Sequence, residues 1–370
     1  MIKKTKRNQD LSYASQRQLM WRKFKRHKVA LAGLFVLSLF YLCALFCEFV
    51  SPYSPTTRNQ DYKSLAPQLI RVYDAKTGFH FPFVYGVSNQ LDLTTFQRTG
   101  VLDTDAMYPV RLFTRGETYK LWGLFETDIH LFTSDGPMYL LGTDATGRDL
   151  FSRIVYGART SLSVGLVGLF ITFVLGLALG GVSGFFGGAV DEAVQRAIDF
   201  IICIPGIPLW MTLAAALPAD WPPIKTYLCI VVITSVIGWT NLARVVRGRM
   251  LSVRKEAYIS AAKVAGAGSV YLIRRHMLPS FGSYIIVALT MSIPGTILGE
   301  TSLSFLGLGL NPPAISWGVL LQDAQNLESI AHSPWLLSPA IFIIIVVVMF
   351  NFLGDGLRDA ADPYKMEGLL

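Results

Sequence analysis

The sequence predicts an all-α polytopic membrane protein with six transmembrane helices and a small β-containing extracytoplasmic insert between helices 1 and 2. Three observations predict it: long runs without charge, a lopsided distribution of Lys and Arg, and one long neutral stretch of soluble composition. The apolar share, 52%, exceeds the roughly 45–50% of soluble chains only slightly. The distribution decides. No Asp, Glu, Lys or Arg occurs in Val29–Cys47, Ser161–Val190, Met277–Gly299 or Ser329–Gly354, and only Lys225 interrupts Ile224–Leu242. About 20 helical residues cross a hydrocarbon core of about 30 Å, so each run is long enough to span. A sixth run, Ala197–Leu217, carries only Asp199 near its start.

Charge sets the orientation. Residues 1–28 hold ten Lys/Arg against one Asp, and residues 244–279 hold eight against one Glu. Residues 304–334 hold neither Lys nor Arg. The positive-inside bias therefore puts 1–28 and 244–279 in the cytoplasm and 304–334 outside. Six spans return the chain to the side where it started, so both termini are expected in the cytoplasm. The expected organisation is a basic tail (1–28), helix 1 (29–50), an outer insert (51–160), a core of five helices (161–354) and a C-terminal tail (355–370). The first apolar run is too long for a cleavable signal segment, and no small-residue cleavage site follows it, so it reads as an uncleaved anchor. The basic tail reads as positive-inside flanking with attraction to anionic lipid rather than as a nucleic-acid site.

The insert holds eleven basic and eleven acidic residues. Long translocated loops are largely exempt from the charge rule. Tyr108–Gly123, "YPVRLFTRGETYKLWG", reads as a hairpin turning at Arg115-Gly116. "FHFPFVYG" reads as a strand that Pro82 confines to an edge. A cap on the outer face is expected, the plain alternative being a partly ordered linker.

Chemistry of its own is not indicated. Cys43, Cys47, Cys203 and Cys229 all fall inside apolar runs without zinc-site spacing. The histidines, His27, His80, His130, His276 and His332, are scattered. No Gly-Lys pair exists from which a phosphate-binding loop of the G-x-x-x-x-G-K-[ST] type could be built. No metal site or catalytic residue is expected.

One segment breaks the pattern. "RKEAYISAAKVAGAGSVYLIRRHMLPSFG", Arg254–Gly282, is basic and rich in small residues, yet lies between two apolar runs. Ala257, Ala261, Ala262, Val264 and Ala265 fit a short helix with a thin face. Gly266 suits the left-handed position of a sharp turn. A second short helix, Val270–Met277, should follow and end at Leu278-Pro279, where proline can open the next helix. The result is an elbow too polar to span a membrane and too short to be a domain, which suits something a partner grips.

"EAYISAAKVAGAGSVYLIRRHMLP" resembles the cytoplasmic EAA loop of permease subunits of binding-protein-dependent ABC importers. The matching positions are Glu256, Ala257, Ala261, Ala262, Gly266, Ile273, Leu278 and Pro279. "LGTDATGRDLFSRIVYGARTSL" (Leu141–Leu162), "ETSLSFLGLGLNPPAISWGVLL" (Glu300–Leu321) and "FNFLGDGLRDAADP" (Phe350–Pro363) resemble the dipeptide/oligopeptide/nickel group within it. The likeness covers the chain from about residue 140 onward. It implies an inner-membrane permease paired with a second permease, two ATPase subunits that bind ATP-Mg, and an extracytoplasmic solute-binding protein. No cofactor is implied in this chain. The loop would sit in a groove of the ATPase. Peptides are the cargo implied, with oligosaccharides or other glycosides as the alternative. A non-transporting receptor or scaffold is the more distant reading. The long segment 51–140 departs from the group's pattern.

Ionisable groups at membrane depth are costly and default to functional candidates. Arg196 and Asp199, three apart, can pair on one helix face. Glu300 follows a long uncharged run and is expected near the outer mouth, as a pathway residue or an interfacial carboxylate. Glu48 reads as interfacial. Gly176, Gly180, Gly181 and Gly184 share a face that permits close helix contact. "CIPGIP", Cys203–Pro208, should kink the third span.

Overall fold

A computed structural model describes residues 16–74, 76–91, 98–218 and 220–361. Residues 1–15 of the basic tail and 362–370 of the C-terminal tail lie outside the described residues. In chain order come helices α1 (Gln16–Phe24), α2 (Lys28–Leu45) and α3 (Cys47–Val50), then strands β1 (Arg71–Asp74), β2 (Gly78–Leu91), β3 (Arg98–Leu121) and β4 (Phe125–Ser134). Helices α4 (Leu150–Phe186), α5 (Gly188–Cys203), α6 (Gly206–Ala215), α7 (Pro223–Val253) and α8 (Ala257–Val264) follow. The last are α9 (Gly282–Phe305), α10 (Trp317–Gln322), α11 (Leu327–His332) and α12 (Ser338–Ala361).

Among the described residues, five helices are long and apolar enough to cross a membrane, and α5 with α6 makes a sixth if that bent pair is one span. The two halves meet at 86°. The kink expected at "CIPGIP" is therefore present, and its cause is local. Ile204 is extended, φ −87° and ψ 126°, as the residue before a proline prefers, and Pro205 cannot donate to the preceding turn. The expected boundaries move in three places. Helix α2 ends at Leu45, short of residue 50. Residues 150–160, assigned to the insert, already belong to α4. Helix α12 runs through 355–361, assigned to the tail.

The described residues sort into two compact units: 16–38, 164–300 and 345–361, and 39–163 with 301–344. In the first, the glycine face of α4 packs on α7. A Cβ on Gly176 would stand 2.7 Å from Leu242, and one on Gly184 would stand 2.6 Å from Met250; Gly180 lies against the Ala243 backbone. Small residues let the two backbones approach, as the sequence pattern predicts. Asp191 fastens the start of α5 to α7, accepting both Arg247 Nε at 2.5 Å and Nη2 at 2.6 Å. The expected Arg196–Asp199 pair does not form. Arg196 faces Glu192 at 3.7 Å and Asp199 takes Arg244 at 2.6 Å. The neighbouring turn supplies Arg196 with a carboxylate four residues back, and α7 brings a cation to Asp199.

In the second unit, an antiparallel sheet runs β1-β2-β3-β4. Strand β3 pairs β2 with its first half and β4 with its second. Two expectations need correcting. Strand β3 continues through Arg115-Gly116, its register with β4 shifting between Arg115 and Tyr119, and the chain turns at Trp122-Gly123 instead. Gly116 marks a close approach, not a turn: its missing Cβ would lie 2.7 Å from the buried His130 ring. The second correction is that β2 lies between two strands rather than at the edge. Pro82 is tolerated because β3 begins to pair only at Phe83, and β1 is irregular between Arg71 and Tyr73.

Candidate functional site

The elbow is built from the end of α7 onward. Glu256 is the N-cap residue of α8, extended at φ −68° and ψ 141°, and its carbonyl accepts the first helical bond from Ile259 N at 3.1 Å. Its exposed carboxylate stands at a helix N-terminus, where negative charge is favoured. One residue anchors the helix: Ile259 is buried with Leu242, Val246, Met250, Leu272 and Met277. The other faces remain exposed, as small side chains and a single apolar anchor dictate.

Helix α8 ends in a Schellman motif. Gly266 N donates to Lys263 O and Ala267 N donates to Ala262 O, both at 3.0 Å. Gly266 has φ +83°, the left-handed conformation read from the sequence. After a short turn, Leu272–Met277 forms a π-helix, closed by Leu278 N donating to Ile273 O. A plain second helix over Val270–Met277 was expected. Pro279 follows, without an N–H to continue an α-helical ladder.

The structure divides the predicted coupling residues. Glu256, Ala257, Ala261, Gly266 and Pro279 are exposed, whereas Ala262, Ile273 and Leu278 are half-buried and pack against the Ile259 cluster. The first group presents a surface and the second fastens it to α7 and α9. Sequence reading missed a set of exposed apolar side chains around the turn: Val264 at 90% exposure, Val270 at 68% and Tyr271 at 56%. Their signal was legible, since apolar residues flanking an Ala-Gly-Ala-Gly turn have no reason to be solvated. An exposed apolar rim around a rigid turn fits a protein partner.

Glu300 stands apart from the elbow. It is fully buried in α9, and the adjacent Gly299 lies against Trp210 and Thr234.

The Leu141–Leu162 segment is organised around Asp144. This carboxylate accepts from Thr146 N at 2.8 Å, Arg148 Nε at 2.6 Å and Arg153 Nη1 at 2.5 Å. Asp323 Oδ2 lies 3.6 Å from the same Arg153 Nη1. Burial pushes the Asp144 carboxyl up, but Arg153, Thr146 and Arg148 outweigh it and hold it below the usual carboxylate range. Asp149 caps α4, accepting from Ser152 N at 2.8 Å. Burial pushes its carboxyl up to about 6, and its Oδ1 has no hydrogen-bond partner among the described residues. Glu48, expected to be interfacial, is buried and accepts both Arg159 Nη1 and Nη2 at 2.6 Å.

Residues 161–365 match the profile of the binding-protein-dependent transport system inner membrane component, and residues 15–67 match the N-terminal transmembrane domain of oligopeptide transport permease C. The chain belongs to the binding-protein-dependent transport permease family. It is 32% identical to the dipeptide transport system permease protein DppC of Bacillus subtilis over 355 residues, which is 95% of this chain and 86% of the relative. It is 36% identical to the oligopeptide transport system permease protein OppC of the same organism over 238 residues, covering 63% of this chain and 75% of the relative. Among solved structures, the inward-facing MetNI methionine ABC transporter aligns with 57% of this chain and 97% of that one, at 19% identity and a TM-score of 0.46.

Proposed function

We propose that the chain is the transmembrane permease subunit of an ABC importer for di- and oligopeptides. The observation that carries the cargo is the similarity to a dipeptide permease along 95% of the chain. In this reading the chain pairs with a second permease, two ATPase subunits supply ATP hydrolysis, and a solute-binding protein delivers cargo to the outer face. Both termini and the elbow lie in the cytoplasm, and the sheet of 71–134 lies outside. The charge asymmetry supports that orientation.

The mechanism is alternating access. The ATPase grips the exposed face of α8 and the apolar rim of Val264, Val270 and Tyr271. Closure on ATP displaces the elbow, and the half-buried Ala262, Ile273 and Leu278 pass the motion to α7 and α9. Hydrolysis restores the inward-facing state. Glu300 is the candidate pathway carboxylate, because a charge at membrane depth is retained only for a use.

The test is reconstitution of this chain with its partner subunits in liposomes, measuring uptake of a radiolabelled dipeptide and ATP hydrolysis with and without the binding protein. Uptake that needs ATP and the binding protein, lost in Gly266→Trp while the complex still assembles, supports the reading. Uptake of an oligosaccharide but not of peptides would overturn the cargo. Normal coupling in an assembled Gly266→Trp complex would overturn the role of the elbow.

A further inference from the structure

The turn that joins β3 to β4 is an apolar tip of the sheet, and the structure fixes its height against a span. Trp122 Nε1 donates to the carbonyl of Leu45, the last residue of α2, at 2.7 Å. The Trp122 ring lies 5.5 Å from the Phe46 ring. Arg159 donates to the Ala44 and Leu45 carbonyls, both at 3.0 Å, so the otherwise unpaired carbonyls at the helix end are capped by a cation. A helix end satisfied by a guanidinium and an indole N–H marks the boundary between hydrocarbon and water, where tryptophan concentrates. The hairpin tip stands at that boundary.

The tip itself is made for it. Leu121-Trp122-Gly123-Leu124-Phe125 is uninterrupted by polar side chains, and the paired Lys120 and Glu126 bound it on the water side. Leu124 is 75% exposed and Phe125 63%. The turn closes through Leu124 N donating to Leu121 O at 3.0 Å, with Trp122 at φ +51° and Gly123 at φ +74°. A tryptophan in the left-handed region is a genuine outlier, and such strain persists where the surroundings over-determine it. Asn-Gly would close this turn without strain. Tryptophan instead supplies an indole that reaches the end of α2. Behind the tip, an apolar cleft of about 510 Å³ opens between α2–α3 and the hairpin, lined by Leu42, Cys43, Phe46, Val50, Tyr119 and Leu121. Leu42 and Leu45, on the adjoining surface of α2, are half exposed.

We propose that the β3–β4 tip is a membrane wedge: Leu124 and Phe125 insert into the leaflet at the outer end of α2, and an acyl chain of a phospholipid there occupies the cleft. The surface is continuous with the exposed apolar side of α2 (Phe35, Leu39, Leu42 and Leu45), a helix long and apolar enough to cross a membrane, and that continuity favours lipid over a second protein as its occupant. Insertion to about 5–10 Å is what an interfacial apolar element reaches. The sheet would then be tethered to the bilayer at its tip as well as through the chain. The leaflet assigned rests on the orientation proposed above, whereas the depth of the tip does not.

The experiment uses the assembled transporter in liposomes of phosphatidylethanolamine and phosphatidylglycerol. A nitroxide is placed at Leu124→Cys, on a background in which Cys43, Cys47, Cys203 and Cys229 are alanine and ATPase stimulation is retained. Accessibility to molecular oxygen is compared with accessibility to a neutral water-soluble nickel chelate. Phe125→Cys repeats the reading should the first variant fail to assemble, and Asp105→Cys, on the far half of β3, is the aqueous control. Oxygen should win at 124 and 125, and nickel at 105. Nickel winning at 124 and 125 overturns the proposal, and so does exclusion of both reagents, which means that a protein subunit covers the tip. Labelling of Asp105→Cys from the cytoplasmic side alone would overturn the orientation while leaving the depth result intact.

Discussion

The elbow at 257–277 and the Leu141–Leu162 segment both carry the family resemblance, yet they are built in opposite ways. Around Asp144, polar groups are turned inward. One carboxylate gathers donors from Thr146, Arg148 and Arg153, and Arg153 is only 3% exposed. At the elbow, one buried isoleucine and the half-buried Ala262 hold a helix whose remaining surface is exposed, with apolar side chains at its rim. The first motif spends its charges on one another around Asp144, leaving only Asp149 Oδ1 and Arg153 Nε without a partner among the described residues, whereas the second turns apolar side chains to solvent. A sequence signature can therefore record either an internal lock or an external grip, and only the direction of the side chains separates them.

That contrast breaks most readily at Asp144. Removing it strands a buried guanidinium, a loss of about 3–5 kcal/mol. Asp144→Ala should sharply lower the thermal midpoint of the purified complex, and whatever survives should couple normally. Because the folded carboxyl is held below its usual range, its stabilisation is present above the unfolded pKa and is lost as pH falls through the folded one. Unchanged stability in Asp144→Ala would refute the lock.

Asp149 should behave with the opposite sign. Its folded pKa, raised to about 6, gives stability that is complete below the unfolded value and declines as pH rises through about 6. Asp149→Asn keeps an acceptor for Ser152 N and removes the buried charge. It should flatten this decline and gain at most roughly 2–3 kcal/mol at neutral pH. Parallel stability curves for variant and wild type between pH 4 and 7 would contradict this.

At the elbow the effect should appear in coupling, not in melting. Gly266→Ala forces a Cβ into the left-handed region at a cost of about 1–2 kcal/mol, and Gly266→Asn costs less. No atom lies within 4 Å of the added Cβ, so backbone conformation alone is tested. Binding-protein-stimulated ATP hydrolysis should fall in the order glycine, asparagine, alanine. Equal rates would mean that the turn transmits nothing.

The smallest effect belongs to Glu48 and Arg159, where the guanidinium is 39% exposed. A double-mutant cycle with Glu48→Gln and Arg159→Lys should give a coupling of about 1 kcal/mol. Zero coupling would leave Arg159 as a cap of α2 and nothing more.

Much of this was legible beforehand. Charge-free runs located the long helices, Ile204-Pro205 the bend, and Gly266 the left-handed turn, since each depends on a local property of a few residues. The β region was less so. Gly116 was misread as a turn because a glycine making room for His130 looks the same in sequence as one reversing the chain. Trp122 was passed over as a turn residue because tryptophan is a poor choice there, and only its bond to Leu45 explains it. Arg196 and Asp199 were paired by helical spacing, which cannot foresee that Arg244 arrives from α7.

The π-helix of Leu272–Met277 has a mechanical meaning. It holds about one residue more per turn than an α-helix would, after the surface a partner would grip and separated from α9 by the Leu278–Ser280 turn and Phe281. With 3.6 residues per turn, converting that segment to ordinary α-helix would rotate one side of it against the other by about 100°. A change of register there exchanges hydrogen-bond partners without bending a bond angle, so in the proposed mechanism this segment is where displacement of the elbow would become rotation.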